Sequence, residues 1–159
     1  MKDDLGQDII TWLHRTPVQT FILCPLVVIA FELARHGGRP VIVPWGVPLL
    51  VWGYAQYLLV GNYRLPLAGG SAGMTTPPDH VIDTGPYAYT RNPMYLGHLI
   101  FMAGLALTFW SWFALFLFAV RAVWFHSRVL HDEERLQEIF GAEYEAYRAR
   151  VKRWIPWVF

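Results

Sequence analysis

Two long stretches of this chain carry no formal charge. Between Arg39 and Arg64, and again between Arg91 and Arg121, there is no Asp, Glu, Lys or Arg. Each exceeds the ~18–20 apolar residues that carry a helix across a bilayer. With 55% hydrophobic and 16% aromatic residues and only 16% charged, the composition is also more apolar than that of ordinary soluble domains. The expected fold is therefore all-α: an integral membrane helical bundle. At 159 residues there is room for a single domain, 1–159. A net charge of +1 with no dominant basic face excludes nucleic acid as a partner. The partner this composition implies is a lipid bilayer.

Along the chain, Ile9, Ile10, Trp12 and Leu13 stand among charges through about Arg15, a pattern suited to the interface. No small-residue cleavage site follows, so a cleaved signal peptide is not expected. Pro17 precedes a first crossing at about Val18 to Ala34, and the polar turn 35–40 leads to a second at about Val41 to Val60, containing Pro44 and Pro48. Residues 61–92 are rich in Gly, Pro, Thr and Asp without helical periodicity, and a loop this long is expected to be functional. The apolar run from Met94 to Leu130 would make a helix of ~55 Å at 1.5 Å per residue, too long for a ~30 Å hydrocarbon core. It must fold back, and Trp110-Ser111-Trp112 is the best turn, giving crossings Met94 to Trp110 and Trp112 to Leu130. A charged amphipathic helix, His131 to Arg150, and an interfacial anchor at 154–157 complete the expected plan. With four crossings, most of the Lys and Arg residues fall on the side of the termini and the long loop, which the positive-inside bias makes cytoplasmic. In a bacterium that is the inner membrane.

Arg121 lies about nine residues past the turn, roughly 13 Å into the membrane, where a charge costs several kcal/mol unless paired or hydrated. It is a candidate catalytic residue, with a structural pair to Glu32 as the alternative. Asp132-Glu133-Glu134 follows the last apolar run and is either a solvated helix start or a source of carboxylates for a ligand. His98 and His126 lack metal-binding spacing and read as hydrogen-bonded packing residues, so no metal site is expected. Cys24, the single cysteine, reads as a small apolar residue.

The strongest local signal is Gly85-Pro86-Tyr87-Ala88-Tyr89-Thr90-Arg91-Asn92-Pro93-Met94-Tyr95-Leu96-Gly97. Gly85-Pro86 forces a turn, and Pro93 suits the first turn of a helix, whose free amides and positive dipole end face Arg91 and Asn92. That end is a natural seat for a carboxylate. The tyrosines offer aromatic walls.

This string, followed by Asp132-Glu133-Glu134-Arg135-Leu136, Phe140-Gly141, Glu143-Tyr144, Tyr147 and Val151 to Pro156, resembles the isoprenylcysteine carboxyl methyltransferase and phospholipid methyltransferase superfamily of integral membrane methyltransferases. The resemblance covers the half from Gly85 to the end, a cofactor-binding half 85–159. It implies an S-adenosylmethionine pocket formed by the loop and the C-terminal segment. Arg91, Pro93, Tyr95 and Gly97 match the first cofactor element, Glu133 and Glu134 the second, and Gly85, Pro86, Tyr87, Asn92 and Leu96 lie on the same string. Arg91 and Glu133 from these elements, with Arg121 from its depth in the membrane, are the expected catalytic residues. Asn92 stands where the family often has His; it can donate and accept hydrogen bonds but cannot titrate near neutral pH. The implied reaction is methyl transfer to a membrane-embedded or amphiphilic acceptor: an isoprenylcysteine-type carboxylate, a phospholipid amine or a small hydrophobic molecule. An NADPH-dependent membrane reductase of the sterol type is the enzymatic alternative, and a scaffold or small transporter the non-catalytic one.

Overall fold

The computed structural model describes residues 11–69 and 78–155, and every regular element among them is helical. The longer helices are α1, Thr16–Arg35, followed by α2, Val47–Arg64, α3, Pro93–Phe109, α4, Trp112–Phe140, and α5, Ala142–Arg150. Short 3-10 turns lie at Pro44–Gly46, Leu65–Leu67 and Gly85–Ala88. Among the described residues α1 and α4 are long and apolar enough to cross a membrane, and α3 is apolar but shorter. Residues 1–10 of the expected interfacial segment, and Pro156 and Trp157 of the expected anchor, lie outside the described residues. The chain divides into two compact units, one made of Met1–Tyr54 and His98–Ala119, the other of Ala55–Gly97 and Val120–Phe159.

In the first unit α1 contains a π turn, Gln19–Leu23, in which the Cys24 N–H reaches back five residues to the Gln19 carbonyl. Pro25 explains it: proline has no N–H to give and its ring would clash with the carbonyl four residues back, so the ladder widens ahead of it. The two prolines expected inside the second crossing instead sit at its start. Pro44 opens the 3-10 turn and Pro48 is the second residue of α2, where no intrahelical donor is required. The helical hairpin turns at Trp110-Ser111 as expected. Trp110 adopts φ +45°, the Ser111 N–H bonds the Ala106 carbonyl at 3.0 Å, and Ser111 Oγ accepts from the Ala114 N–H at 3.2 Å. One serine thus serves the end of α3 and caps α4. Its hydroxyl also donates to Glu32, which is fully buried with His36 Nε2 at 3.2 Å and Arg35 Nη1 at 3.7 Å. Glu32 is therefore engaged by Ser111, His36 and Arg35, and not by Arg121, the partner that the alternative reading of Arg121 offered it. Val28, Leu105, Ala106 and Ala114 form the core, with Cys24 packed against it.

In the second unit α2 runs four residues past the expected end and buries Arg64. The expected boundary at Leu130 is also absent. Nothing between Trp112 and Phe140 is Gly or Pro, and a change from apolar to charged side chains does not break a helix, so α4 continues for ten more residues. The break falls at Gly141, φ +54°, before α5. The separate amphipathic helix from His131 to Arg150 is thus replaced by the end of α4 and a short α5. Glu143 and Glu145 in the first turn of α5, with Arg148 and Arg150 in its last, complement the helix dipole. Two small cores hold the unit: Val60, Ile82, Tyr87 and Met94, and Val81, Tyr144, Tyr147 and Val151.

Candidate functional site

Pro93 sets the frame of the site. As the first residue of α3 it disfavours helical backbone at Asn92, whose carbonyl accepts the first bond of the helix from the Leu96 N–H at 2.9 Å, while the Arg91 N–H and the side chains of Thr90 and Asn92 take partners outside the helix. They find them on the chain beyond α5, where Val151 is extended. The Arg91 N–H bonds the Lys152 carbonyl at 3.0 Å, Thr90 Oγ1 donates to the Arg153 carbonyl at 2.9 Å, and Asn92 Nδ2 donates to the same carbonyl at 3.3 Å. The segment 151–154 is thereby laid along the start of α3.

Glu133 of α4 lies where these segments meet. Arg91 Nε and Nη2 donate to its two carboxylate oxygens, each at 3.1 Å. Arg153 does the same, Nε to Oε1 at 3.1 Å and Nη2 to Oε2 at 2.9 Å. Asn92 Nδ2 adds a contact to Oε1 at 3.4 Å. Arg91 Nη1 bonds the Val151 and Arg148 carbonyls at 2.8 and 3.2 Å. Two bidentate guanidiniums on one carboxylate make a rigid, strongly hydrogen-bonded cluster. Glu133 lies past Leu130, where the apolar part of α4 ends. Burial acts to raise its carboxyl, but the hydrogen bonds and charges of Arg153 and Arg91 outweigh this and hold it below the usual carboxylate range. Conversely, the hydrogen bond to Glu133 raises Arg153 against a smaller opposing effect of burial.

Arg91, Asn92 and Glu133 of this cluster line a cleft together with Arg64, Val81, Ile82, Tyr87, Asp132, Arg135, Leu136, Phe140, Tyr144 and Tyr147. One part of the wall is aromatic and aliphatic; the other carries charges of both signs. Tyr147 OH donates to the Tyr87 carbonyl at 2.8 Å, tying α5 to the 3-10 turn at Gly85–Ala88. Burial raises the hydroxyls of Tyr144 and Tyr147, and Tyr87 is pushed up to about 12 by burial, opposed by the charge of Arg64. The Tyr87 hydroxyl is itself buried and has no hydrogen-bond partner. Gly85 holds the turn at φ +57°; a Cβ there would lie 2.6 Å from the Tyr63 ring, and Tyr63 OH meets Thr84 Oγ1 at 2.7 Å.

Of the residues singled out in the sequence, Tyr87, Arg91, Asn92 and Glu133 come together at the cleft. Tyr95 does not form an aromatic wall: its hydroxyl donates to Asp132 Oδ2 at 2.9 Å, next to Arg128, and its ring packs on Phe125. Pro93 is buried at the head of α3, and Gly85, Pro86, Leu96 and Gly97 are not among the residues that line the cleft. Glu134 is exposed and does not line the cleft. Arg121 lies apart from it, with its guanidinium over the Trp124 and Phe125 rings at 4.8 and 5.1 Å. His126 accepts from Trp154 Nε1 at 3.3 Å, and His98 is buried and stacked on Phe21, in keeping with packing roles. Sequence reasoning missed Arg64 and Arg153. Arg64 closes an apolar helix instead of opening a loop, and Arg153 lies in a run of basic residues that reads as surface.

Residues 43–143 match the phospholipid methyltransferase family, and the chain belongs to it. That range includes Arg64, the Gly85–Gly97 string, Asp132 and Glu133, and stops short of Tyr144, Tyr147 and Arg153. Among curated proteins, the chain is 36% identical over 81 residues to the protein-S-isoprenylcysteine O-methyltransferase of Schizosaccharomyces pombe, covering 49% of this chain and 34% of that protein. It is 30% identical over 112 residues to the protein of the same name from Saccharomyces cerevisiae, covering 64% and 46%. It is also 33% identical over 72 residues to methanethiol S-methyltransferase 1 of Bradyrhizobium diazoefficiens, covering 45% and 24%. The chain spans less than half the length of these relatives. No solved structure matches it significantly.

Proposed function

We propose that this chain transfers a methyl group from S-adenosylmethionine to a membrane-embedded or amphiphilic acceptor. The observation that carries this reading is the cleft of the second unit, in a chain of the phospholipid methyltransferase family. Its residues fit the methyl donor chemically. Leu136, Phe140, Tyr144 and Tyr147 suit a flat, weakly polar base, Arg64, Arg135 and Asp132 complement a zwitterionic amino-acid end, and the unpartnered Tyr87 hydroxyl still has a hydrogen bond to give.

S-adenosylmethionine supplies an activated methyl carbon on a sulfonium, so the protein's task is alignment and exclusion of water. In this reading Tyr144, Tyr147 and Phe140 keep water from the cleft, while Arg64, Tyr87 and Asp132 hold the polar groups. The Arg91–Glu133–Arg153 cluster fixes the positions of these walls and does not itself touch the reacting atoms. Arg121 serves the acceptor, orienting it where it is a carboxylate. Where it is an amine, a carboxylate of the site accepts its proton.

The same reading places α1 to α4 as four membrane crossings, with the cleft, both termini and the long loop on the cytoplasmic side. Binding of labelled S-adenosylmethionine to the purified protein in detergent, set against NADPH, tests the proposal. Saturable binding of the methyl donor alone is the expected result; binding of NADPH alone would transfer the site to reductive chemistry.

A further inference from the structure

The helix start at Asn92-Pro93, with Arg91 beside it, looked in the sequence like the seat for a carboxylate. The geometry removes Arg91 from that role. Four of its five N–H bonds already go to Glu133 Oε1 and Oε2 and to the Val151 and Arg148 carbonyls. Glu133 in turn has both oxygens occupied by two guanidiniums. The cationic groups that face the cleft beyond this cluster are Arg64 and Arg135.

Arg64 is 3% exposed, at the end of α2, and lines the cleft together with Tyr87. The Tyr87 hydroxyl is held in place by a ring packed among Val60, Ile82 and Met94, and it donates to nothing in the protein. A buried phenol without a partner is costly, and one kept beside a guanidinium is arranged for an acceptor that carries negative charge. Asp132 on the same lining supplies the opposite sign. A site with a cation, a hydroxyl donor and an anion within one small cleft matches an α-amino acid better than a phosphate, which Asp132 would repel.

We propose that Arg64 and the Tyr87 hydroxyl together form the seat for the carboxylate of the methyl donor's amino-acid end. This rests on the methyl-donor reading above and assigns the residues that recognise one end of that molecule.

The test is calorimetric binding of S-adenosylmethionine and of its decarboxylated form to the full chain, comparing wild type with Arg64→Gln and Tyr87→Phe. Wild type is expected to favour the carboxylated ligand by about 10- to 100-fold, the range of a charge-assisted hydrogen bond. Arg64→Gln should lower affinity for the carboxylated ligand and leave the decarboxylated one unchanged, abolishing the preference. Tyr87→Phe should reduce the preference several-fold without lowering the melting temperature, because it removes a hydroxyl that bonds nothing in the protein. It therefore keeps the test decisive even where Arg64→Gln does not fold. Equal loss for both ligands, or a preference that survives both substitutions, overturns the assignment. So does unaltered donor binding with lost affinity for a carboxylate acceptor, which would give the seat to the acceptor. Wild-type protein that binds neither ligand defeats the methyl-donor reading itself.

Discussion

Arg153 grips Glu133 with one edge of its guanidinium, Nε to Oε1 at 3.1 Å and Nη2 to Oε2 at 2.9 Å. Because Arg91 holds the same two oxygens, the carboxylate ties the start of α3, the body of α4 and the chain after α5 into one cluster. The hydrogen-bonding capacity of both carboxylate oxygens is thus taken up within the protein.

Removing the anion should therefore damage folding before it damages chemistry. Glu133→Ala removes the buried anion shared by two partly buried guanidiniums; losing one partner of a fully buried pair costs about 3–5 kcal/mol, and the loss here is smaller because water screens Arg153. Arg153→Leu should cost less, because Arg91 still neutralises Glu133. Thermal unfolding in detergent reads both variants. A Glu133→Ala protein as stable as wild type would contradict the structural role.

The same cluster sets a pH dependence. The folded-state pKa of Glu133 is depressed, so its contribution is complete above the unfolded value of about 4.3 and disappears as pH falls through the folded value. Wild type should lose melting temperature more steeply than Glu133→Gln on acidification below about pH 5. Parallel curves for the two proteins would show that the ionised form contributes nothing.

Gly85 and Gly141 separate backbone strain from crowding. Both have positive φ, +57° and +54°, but a Cβ at Gly85 would strike Tyr63 while nothing lies within 4 Å of one at Gly141. Gly141→Ala is expected to cost about 1–2 kcal/mol from the left-handed backbone, and Gly85→Ala more, with displacement of Tyr63. Equal losses in chemical denaturation would argue against the Tyr63 contact.

Arg121 is expected to influence the acceptor and not the methyl donor, since it lies on Trp124 and Phe125 apart from the cleft lining. Arg121→Leu should leave S-adenosylmethionine affinity unchanged and lower methyl transfer to a panel of extracted lipids. Normal transfer with a reduced melting temperature would make Arg121 a structural charge.

Four crossings require residues after Gly38 and after Phe159 to lie on opposite sides of the membrane. Reporter fusions at the two points should score oppositely. Matching scores would overturn the four-crossing topology.

What the sequence determined by itself was the helical class and part of the punctuation: the reversal at Trp110-Ser111 and the helix start at Pro93, but not the end of α4. Runs without charge admit few structures, and local chemistry decides where they turn: Trp110-Ser111 reverses the chain because one serine can serve two helix ends. The Gly85–Gly97 string was legible for the same reason, since Gly85, Pro86 and Pro93 act on their own backbone. Only tertiary structure decided which charges meet. Arg91 and Glu133 are 42 residues apart along the chain, and Arg153 stands a further 20 beyond Glu133. Sequence patterns report a side chain's neighbours along a helix or turn, so they could present Glu133 as a free carboxylate and Arg153 as a surface charge. Burial and long-range hydrogen bonding joined the two, and left the cleft lined by Arg64 and by Tyr87, whose buried hydroxyl has no partner.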